Sequence, residues 1–338
     1  MNLPLVSIIT PTYNHEMYIA DCIHSAQSQT YSNWEMLVVD DGSTDSTFSI
    51  AKELAENDPR IKVFTQKNVG IFRLGETYNF ALSLSKGKYI AVLEGDDVWL
   101  PEKLSIQVDA LENNENAVLS WGKAYRSNST LSINYDLYPF LNIKQSNFNN
   151  LPVKAASKDL FFIKFFMPAL TVIIRKESLN KIGGFIQKFN LPLVDLPTWL
   201  ELSTLGSFIF IDEPIGKWRI YPTQITKVHT ILMYEGYYQL ALEFFKQNKD
   251  YYDNQSFNES NIHSYYKKML VISYSRSGRY KLIRKEYISA RKDYIKSIFS
   301  FGLNKPLWKL RSVIGLIFSL FHSDIEKLSK IIGRVSYK

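Results

Sequence analysis

Two short acidic runs lie some fifty residues apart in this chain: Val38-Val39-Asp40-Asp41-Gly42-Ser43-Thr44-Asp45 and Val92-Leu93-Glu94-Gly95-Asp96-Asp97. A carboxylate pair at the end of a strand can accept hydrogen bonds from the N–H of a base and the hydroxyls of a ribose. Gly42 lets the backbone turn tightly beside it. A second acidic cluster on a neighbouring strand end can hold a divalent cation. Magnesium and manganese take oxygen ligands, commonly one or two carboxylates plus phosphate oxygens. Such a cation neutralises the charge that builds on a departing nucleoside diphosphate. One acidic turn would say nothing, because Asp and Gly suit turns in general. Two of them, in the right order on adjacent strands of a parallel sheet, favour a functional site.

The elements between the runs must bring them together. Strand-like apolar runs occupy Leu5–Thr10, Met36–Val39, Ile61–Thr65 and Tyr89–Leu93. Helical spacing falls between them at Tyr18–Ser28, Ser46–Asn57 and Glu76–Ser85, and after them at Pro101–Leu111. Asp45 or Thr44 is placed to cap the second helix, and Pro101 to open the fourth. This β-α-β-α order predicts an α/β fold, a mainly parallel sheet flanked by helices. In such sheets ligands bind beyond the carboxyl ends of the strands. Thr12-Tyr13-Asn14, Asp40 to Ser43 and Glu94 to Asp97 all fall at those ends. Arg126–Ala156 reads as a long connection over the site. A helix is expected from about Pro197 to Leu205, with short strands at Phe208–Ile211 and Lys217–Ile220. From about Val228 the pattern is helical, with aromatic and basic residues interleaved, and no internal repeat is visible.

The 338 residues are 46% hydrophobic, enough apolar surface for one large domain and an appendage. A charged fraction of 22% excludes wholesale disorder. Cys22 is the single cysteine, so no intrachain disulfide can form, and it reads as a small buried residue rather than a nucleophile. Met1 to Pro4 run straight into a strand without the pattern of a leader peptide. Leu307–Phe321 is too short to span a bilayer and is interrupted by Lys309 and Arg311. A cytoplasmic chain is expected, and the Asn-x-Ser/Thr matches at Asn128, Asn254 and Asn258 carry little weight. From Asn261 to Lys338 there are 17 Lys and Arg against 4 Asp and Glu, a charge of +13, while the remainder has 23 against 29, or −6. An acidic body with a basic tail suggests a polyanionic partner.

With these motifs in order, the chain resembles the inverting glycosyltransferase family 2, of GT-A fold, over about Leu5 to Thr226. The resemblance rests on Ser7 to Asn14, Ser28-Gln29-Thr30, Val38 to Asp45, Asn68-x-Gly70 with Asn79, and Glu94 to Asp97 with Trp99-x-Pro101-x-Lys103-Leu104. Gly183-Gly184-Phe185, Asp195 before a helix containing Trp199, and Trp218-Arg219-Ile220-Tyr221-Pro222 complete it. It implies a nucleotide-sugar donor, a UDP-sugar by preference, and a divalent cation, Mn2+ or Mg2+. Pro11, Tyr13, Asn14 and Asp41 are expected on the nucleotide-sugar, with Tyr13 against the base. Asp96 is expected as the metal ligand, beside Gly95. Glu94 takes the place where relatives more often carry Asp, and is assigned to the ribose or to metal-bound water. Asp97 reads as structural. Arg73 is a candidate for the donor phosphates, with a solvated surface arginine the equal alternative. Asp195 is expected as catalytic base, taking the acceptor's proton as its oxygen attacks. It could also cap the following helix. Tyr221 stands where many relatives carry a His, and is a poor ligand because its pKa is about 10. The Gln-x-x-Arg-Trp motif and spanning helices of processive synthases are missing from the sequence, which implies one sugar per acceptor.

The expected organisation is a GT-A domain over 1–227, with a donor half at 1–115 and an acceptor half at 116–227, and a helical, basic C-terminal region over 228–338. Leu307–Phe321 would form a helix apolar around most of its surface, with a narrow stripe of Ser312, Gly315, Ser319 and His322. It could pack on the body or lie in a membrane interface. The charge of the tail favours an anionic membrane surface, with the chain peripheral on its cytoplasmic face and a glycan or lipid-linked glycan as acceptor. No zinc spacing or RNA-recognition signature supports a nucleic-acid partner. A nucleotidyltransferase would carry a Gly-rich basic loop where Thr10 to Asn14 stand. A catalytically inactive, membrane-recruited scaffold is the reading from another class.

Overall fold

The computed structural model describes residues 3–139, 148–162, 167–221, 224–253 and 257–323. β1 (Val6–Thr12) and β2 (Trp34–Asp40) are buried at every position. Their near-continuous apolar runs suit central strands covered on both faces. β3 (Ile61–Thr65) lies outside β2 at the sheet edge, where Ile61 is buried, Val63 and Phe64 are half-buried, and Lys62 and Thr65 are exposed. β4 (Tyr89–Val92) lies on the other side of β1. All four run parallel, joined by crossovers containing helices α1 (Ile19–Gln27), α2 (Thr47–Glu56) and α3 (Leu74–Leu84). The register pairs Thr12 with Asp40 and Ile9 with Val92, so the two acidic runs leave the sheet on either side of the end of β1.

The sheet continues through β5 (Val98–Trp99), β6 (Ala117–Ser127), β7 (Asn134–Tyr138), β8 (Ile173–Arg175) and β9 (Ser207–Arg219). Nine strands join among the described residues, in the order β3-β2-β1-β4-β8-β6-β9-β5, with β7 paired to β6. β8 is antiparallel to β4 and β6, whereas β6 and β9 are parallel. Helices α4 (Lys103–Glu112), α5 (Ala155–Phe161), α6 (Lys176–Lys181) and α7 (Asp195–Leu202) accompany this half. The main core is formed by strand residues such as Ile8, Met36, Val38 and Ala91 against Cys22, Ile23, Ala51 and Leu104 from the helices.

Three sequence expectations shift. The connection from Arg126 contains β7, a hairpin partner of β6, and its residues 140–147 lie outside the described set. The two short strands expected after Phe208 are one strand, β9, which bends past Pro214 where its register against β6 slips. The helix expected from Pro197 begins at Asp195 and ends at Leu202.

The chain separates into two compact units, Met1–Gln224 and Ile225–Lys338, where the sequence suggested a division at 227/228. The described part of the second unit is helical: α8 (Ile225–Val228), α9 (Thr230–Gln247), α10 (Lys249–Asp253), α11 (Glu259–Ile283), α12 (Tyr287–Phe299) and α13 (Pro306–Leu320). Asn258 caps α11 by accepting from Ser260 N at 3.1 Å, while Asn261 accepts from Asn258 N at 2.9 Å. Leu282, Ala290 and Tyr294 form a small core between α11 and α12.

Candidate active site

The end of β1 organises the site by lending its backbone to both acidic runs. Thr12 O accepts from Asp41 N at 2.9 Å on one side, and Pro11 O accepts from Gly95 N at 3.1 Å on the other. Gly95 has no room for a side chain: a Cβ there would lie 2.5 Å from Thr12 Oγ1 and 2.9 Å from His15 Nδ1. Asn14, in the left-handed region at φ 52°, ties the loop after β1 to the loop after β2. Its N–H donates to Ser43 Oγ and its Oδ1 accepts from Thr44 N, both at 2.9 Å. Asp40 holds its own turn, accepting from Ser43 N at 3.1 Å and Thr65 Oγ1 at 3.2 Å. Asp41 reaches instead into the loop after β3, accepting from Gln66 Nε2 at 2.8 Å, Val69 N at 2.9 Å and Gly70 N at 3.1 Å.

Glu94, Asp96 and Asp97 bring one carboxylate oxygen each to within 4.8 Å of one another. Each is held by a different element. Tyr78 OH, on α3, donates to Glu94 at 2.6 Å. Tyr221 OH donates to Asp96 at 2.8 Å. Arg219 N, at the end of β9, donates to Asp97 at 2.8 Å. The Arg219 guanidinium is fully buried; it donates to Asp96 O at 3.0 Å, pairs with Asp21 and lies 4.7 Å from the Tyr18 ring centre. Burial and the charge of Asp96 push Glu94 up to about 7, against the lowering effect of the Tyr78 hydroxyl. Burial, then Asp96 and Glu94, pushes Asp97 well above the carboxylate range. Three carboxylates this close, in surroundings that penalise their charge, fit a divalent cation, which would favour their ionised forms. Asp96 and Glu94 are partly open and Asp97 is buried, so the first two are the better placed to face a ligand.

Asp195 opens α7, where its Oδ1 accepts from Leu196 N at 2.9 Å. Burial, followed by the charge of Glu94, raises it to about 8. Its charge also reaches Tyr78, the residue of α3 that donates to Glu94. The segment before α7 is clamped to that helix. Asn79 exchanges two 2.8 Å hydrogen bonds with the backbone of Phe185. Gln187 accepts from Gly75 N at 2.7 Å and donates to Ile71 O at 2.8 Å. The Phe185 and Tyr78 rings meet at 4.9 Å.

The expected site residues therefore collect at one sheet edge with different surroundings. Pro11 is buried in β1, and Tyr13 lies beyond its end with 42% of its surface exposed. Arg73 is exposed and paired with Glu76 at 2.6 Å, within the field of Asp41. Cys22 is fully buried, its Sγ donating weakly to Glu94 O at 3.6 Å. The Ser28-Gln29-Thr30 motif is a brace: Gln29 donates to Leu100 O at 2.8 Å and accepts from Leu104 N at 3.1 Å. Sequence reasoning missed Tyr78, Arg219 and Tyr18. The helical spacing that placed Tyr78 on α3 does not reveal its neighbour sixteen residues on, and Arg219 was visible only as part of its motif.

Residues 7–183 match the family model described as Glycosyl transferase family 2. A glycosyltransferase of Bacillus subtilis strain 168 named for teichuronic acid biosynthesis, TuaG, is 31% identical over 226 residues, covering 66% of this chain and 82% of that one. Other curated relatives are longer than the matched stretch, which spans 28% and 35% of two of them. Among solved structures, S. aureus TarS 1-349 in complex with UDP-GlcNAc superposes with a TM-score of 0.56 at 19% identity, over 98% of this chain and 93% of that one. The mannosyltransferase PcManGT from Pyrobaculum calidifontis, solved with GDP-Man and Mn2+, gives 0.53 at 16% identity, over 95% and 87%. These likenesses identify the GT-A fold.

Proposed function

This chain belongs to glycosyltransferase family 2, and we propose that it transfers one hexosyl or N-acetylhexosaminyl group from a UDP-sugar to an acceptor hydroxyl, with inversion. The observation that carries this reading is the gathering of Glu94, Asp96 and Asp97 within 4.8 Å of one another at the end of the sheet, with Asp195 close enough to feel the charge of Glu94. Pro11, Tyr13, Asn14 and Asp41 receive the nucleoside, and Glu94 and Gly95 line the way to the diphosphate. Arg73 exchanges Glu76 for the donor phosphates. A divalent cation, Mn2+ or Mg2+, would be held by Asp96 with Glu94 beside it, and when bound supplies positive charge against the leaving diphosphate. Asp195 takes the proton of the acceptor hydroxyl as that oxygen bonds to the anomeric carbon and the sugar–phosphate bond breaks on the opposite face. Its raised pKa makes its ionised form a stronger base than a free carboxylate, so turnover should rise with pH towards about 8 as that form is populated.

The relative named for teichuronic acid biosynthesis and the neighbour solved with UDP-GlcNAc support a setting in bacterial surface-glycan assembly. There the acceptor is a glycan or lipid-linked glycan, and the chain works peripherally on the cytoplasmic face of the membrane. One observation favours a second reading, a nucleotide-binding scaffold without turnover: Tyr221 already occupies an oxygen of Asp96. Asp195→Asn separates the two. On the transfer reading it lowers turnover by about 10²–10⁴-fold and leaves UDP binding intact. Turnover unchanged in the variant removes Asp195 from the reaction, and no turnover in the native chain with any UDP-sugar leaves the scaffold.

A further inference from the structure

A surface helix normally turns its apolar residues inward and its polar residues out. α13 departs from this: Leu316 and Phe318 pack against the Leu282–Ala290–Tyr294 core, but most of its apolar side chains face out. Its buried residues are Ser312, Gly315 and Ser319, the narrow stripe seen in the sequence. Ser312 Oγ donates to Ser297 Oγ on α12 at 2.9 Å. Arg291 on α12 donates to Ser319 O at 2.7 Å, and Lys309 donates to Ile298 O at 2.6 Å and Ser300 O at 2.8 Å. Gly315 admits the Tyr294 ring so closely that a Cβ would lie 2.3 Å from it. Leu307, Leu310, Val313, Ile314, Ile317 and Leu320 are left on the opposite face, all exposed, from 79% at Leu307 to 37% at Val313. Phe299 and Leu303 before the helix and Phe321 after it are also exposed. A face this long and apolar marks a contact surface.

The charge around this face selects its occupant. Along the sequence from Tyr287 to Ser323 the chain carries Arg291, Lys292, Lys296, Lys305, Lys309 and Arg311 against Asp293, a net +5, with Lys296 facing Glu235 of α9 at 3.5 Å. A second copy meeting the same face would still set positive charge against positive charge. The following segment, 324–338, has four Lys and Arg against two Asp and Glu, or +2, and is not complementary either. An anionic bilayer complements both properties: apolar side chains enter the acyl boundary while Lys and Arg meet lipid phosphates. No described helix is long and apolar enough to cross a membrane, so α13 would lie in the plane of the interface.

We propose that α13 docks the chain on an anionic lipid surface through the Leu307–Leu310–Ile314–Ile317 face, with Lys292 and Lys305 on the headgroups. This deepens the peripheral localisation proposed above, and rests on that reading only for the setting. Its test reads binding and not turnover, so either proposal can fail alone. The full chain is sedimented with vesicles of phosphatidylcholine and phosphatidylglycerol, and with phosphatidylcholine alone. Beside it run Leu310→Glu/Ile317→Glu and Lys292→Glu/Lys305→Glu. Binding about tenfold stronger to the mixed vesicles is expected for the native chain, with about tenfold lost in each double variant. Melting temperature and mass in solution should not change, because the substituted side chains are exposed. The proposal is overturned if the native chain ignores the mixed vesicles, or if Leu310→Glu/Ile317→Glu binds them like the native chain. It is also overturned if that variant melts well below the native chain, which would mean the chain itself covers the face. A native dimer that the variant dissociates would put a second copy there, with the same consequence.

Discussion

Glu94 and Asp195 hold protons at pH values where a free carboxylate has lost them, about 7 and about 8, because each is desolvated and faces another acid. The folded chain thus binds these protons more tightly than the unfolded chain. Between the ordinary carboxylate range and those values the unfolded state carries fewer protons, so stability falls as pH rises through the window. Glu94→Gln removes the charge and keeps an oxygen for the Tyr78 hydroxyl. In the absence of nucleotide and metal, its melting temperature at pH 8 should exceed that of the native chain by the equivalent of about 1–3 kcal/mol. The gap should close towards pH 4.5; a variant less stable at pH 8 would show that Glu94 is ionised and satisfied in the free protein. These acids were legible in the sequence as residues of the right type at the right spacing. Their protonation was not, since it follows from burial and, for Asp195, from the charge of Glu94, which stands far from it in sequence and which only the fold brings near.

The strands and the acidic turns of the first third could be read from the sequence because Val, Ile and Leu fill β1, β2 and β4 while Asp and Gly punctuate their ends. β7 escaped because Asn134-Tyr135-Asp136-Leu137-Tyr138 is exposed or only partly buried along its length and shows no clean alternation. β9 was divided because Asp212-Glu213-Pro214 looks like a turn, yet β6 continues beside it on both sides. Asp195 opens α7 two residues before the proline that suggested the start, with Pro197 inside the tolerated first turn. The strand ends around Gly95 leave little freedom. Gly95→Ala pushes a methyl to 2.5 Å from Thr12 Oγ1. It should cost about 1–3 kcal/mol of stability by overpacking, and weaken nucleotide binding through displacement of Asp96. Chemical denaturation and UDP titration of the variant check both; a neutral result would mean that the loop after β4 yields without moving the cluster.

The two units differ in charge as well as in architecture: residues 1–224 carry 20 Lys and Arg against 24 Asp and Glu, or −4, and residues 225–338 carry 20 against 9, or +11. The sheet, the acidic cluster and Asp195 all belong to Met1–Gln224, whose internal packing includes the whole of the main core. A fragment of residues 1–224 should therefore melt cooperatively and show the same nucleotide-dependent rise in melting temperature as the full chain. Loss of that response on truncation would give the helical unit a part in the donor site. The sequence announced the basic tail, but not which way α13 faces, because a helix apolar around most of its surface can pack through either side. The most direct test of the central claim is the melting temperature of the full chain and of Asp96→Ala against UDP, with and without Mn2+. At a hundredfold excess of UDP over its dissociation constant the native chain should gain about 2.7 kcal/mol by linkage, with Mn2+ present. The gain should be lost in Asp96→Ala and without the metal. The same melting curve with and without UDP and Mn2+ in the native chain would contradict the nucleotide-sugar site on which the whole account rests.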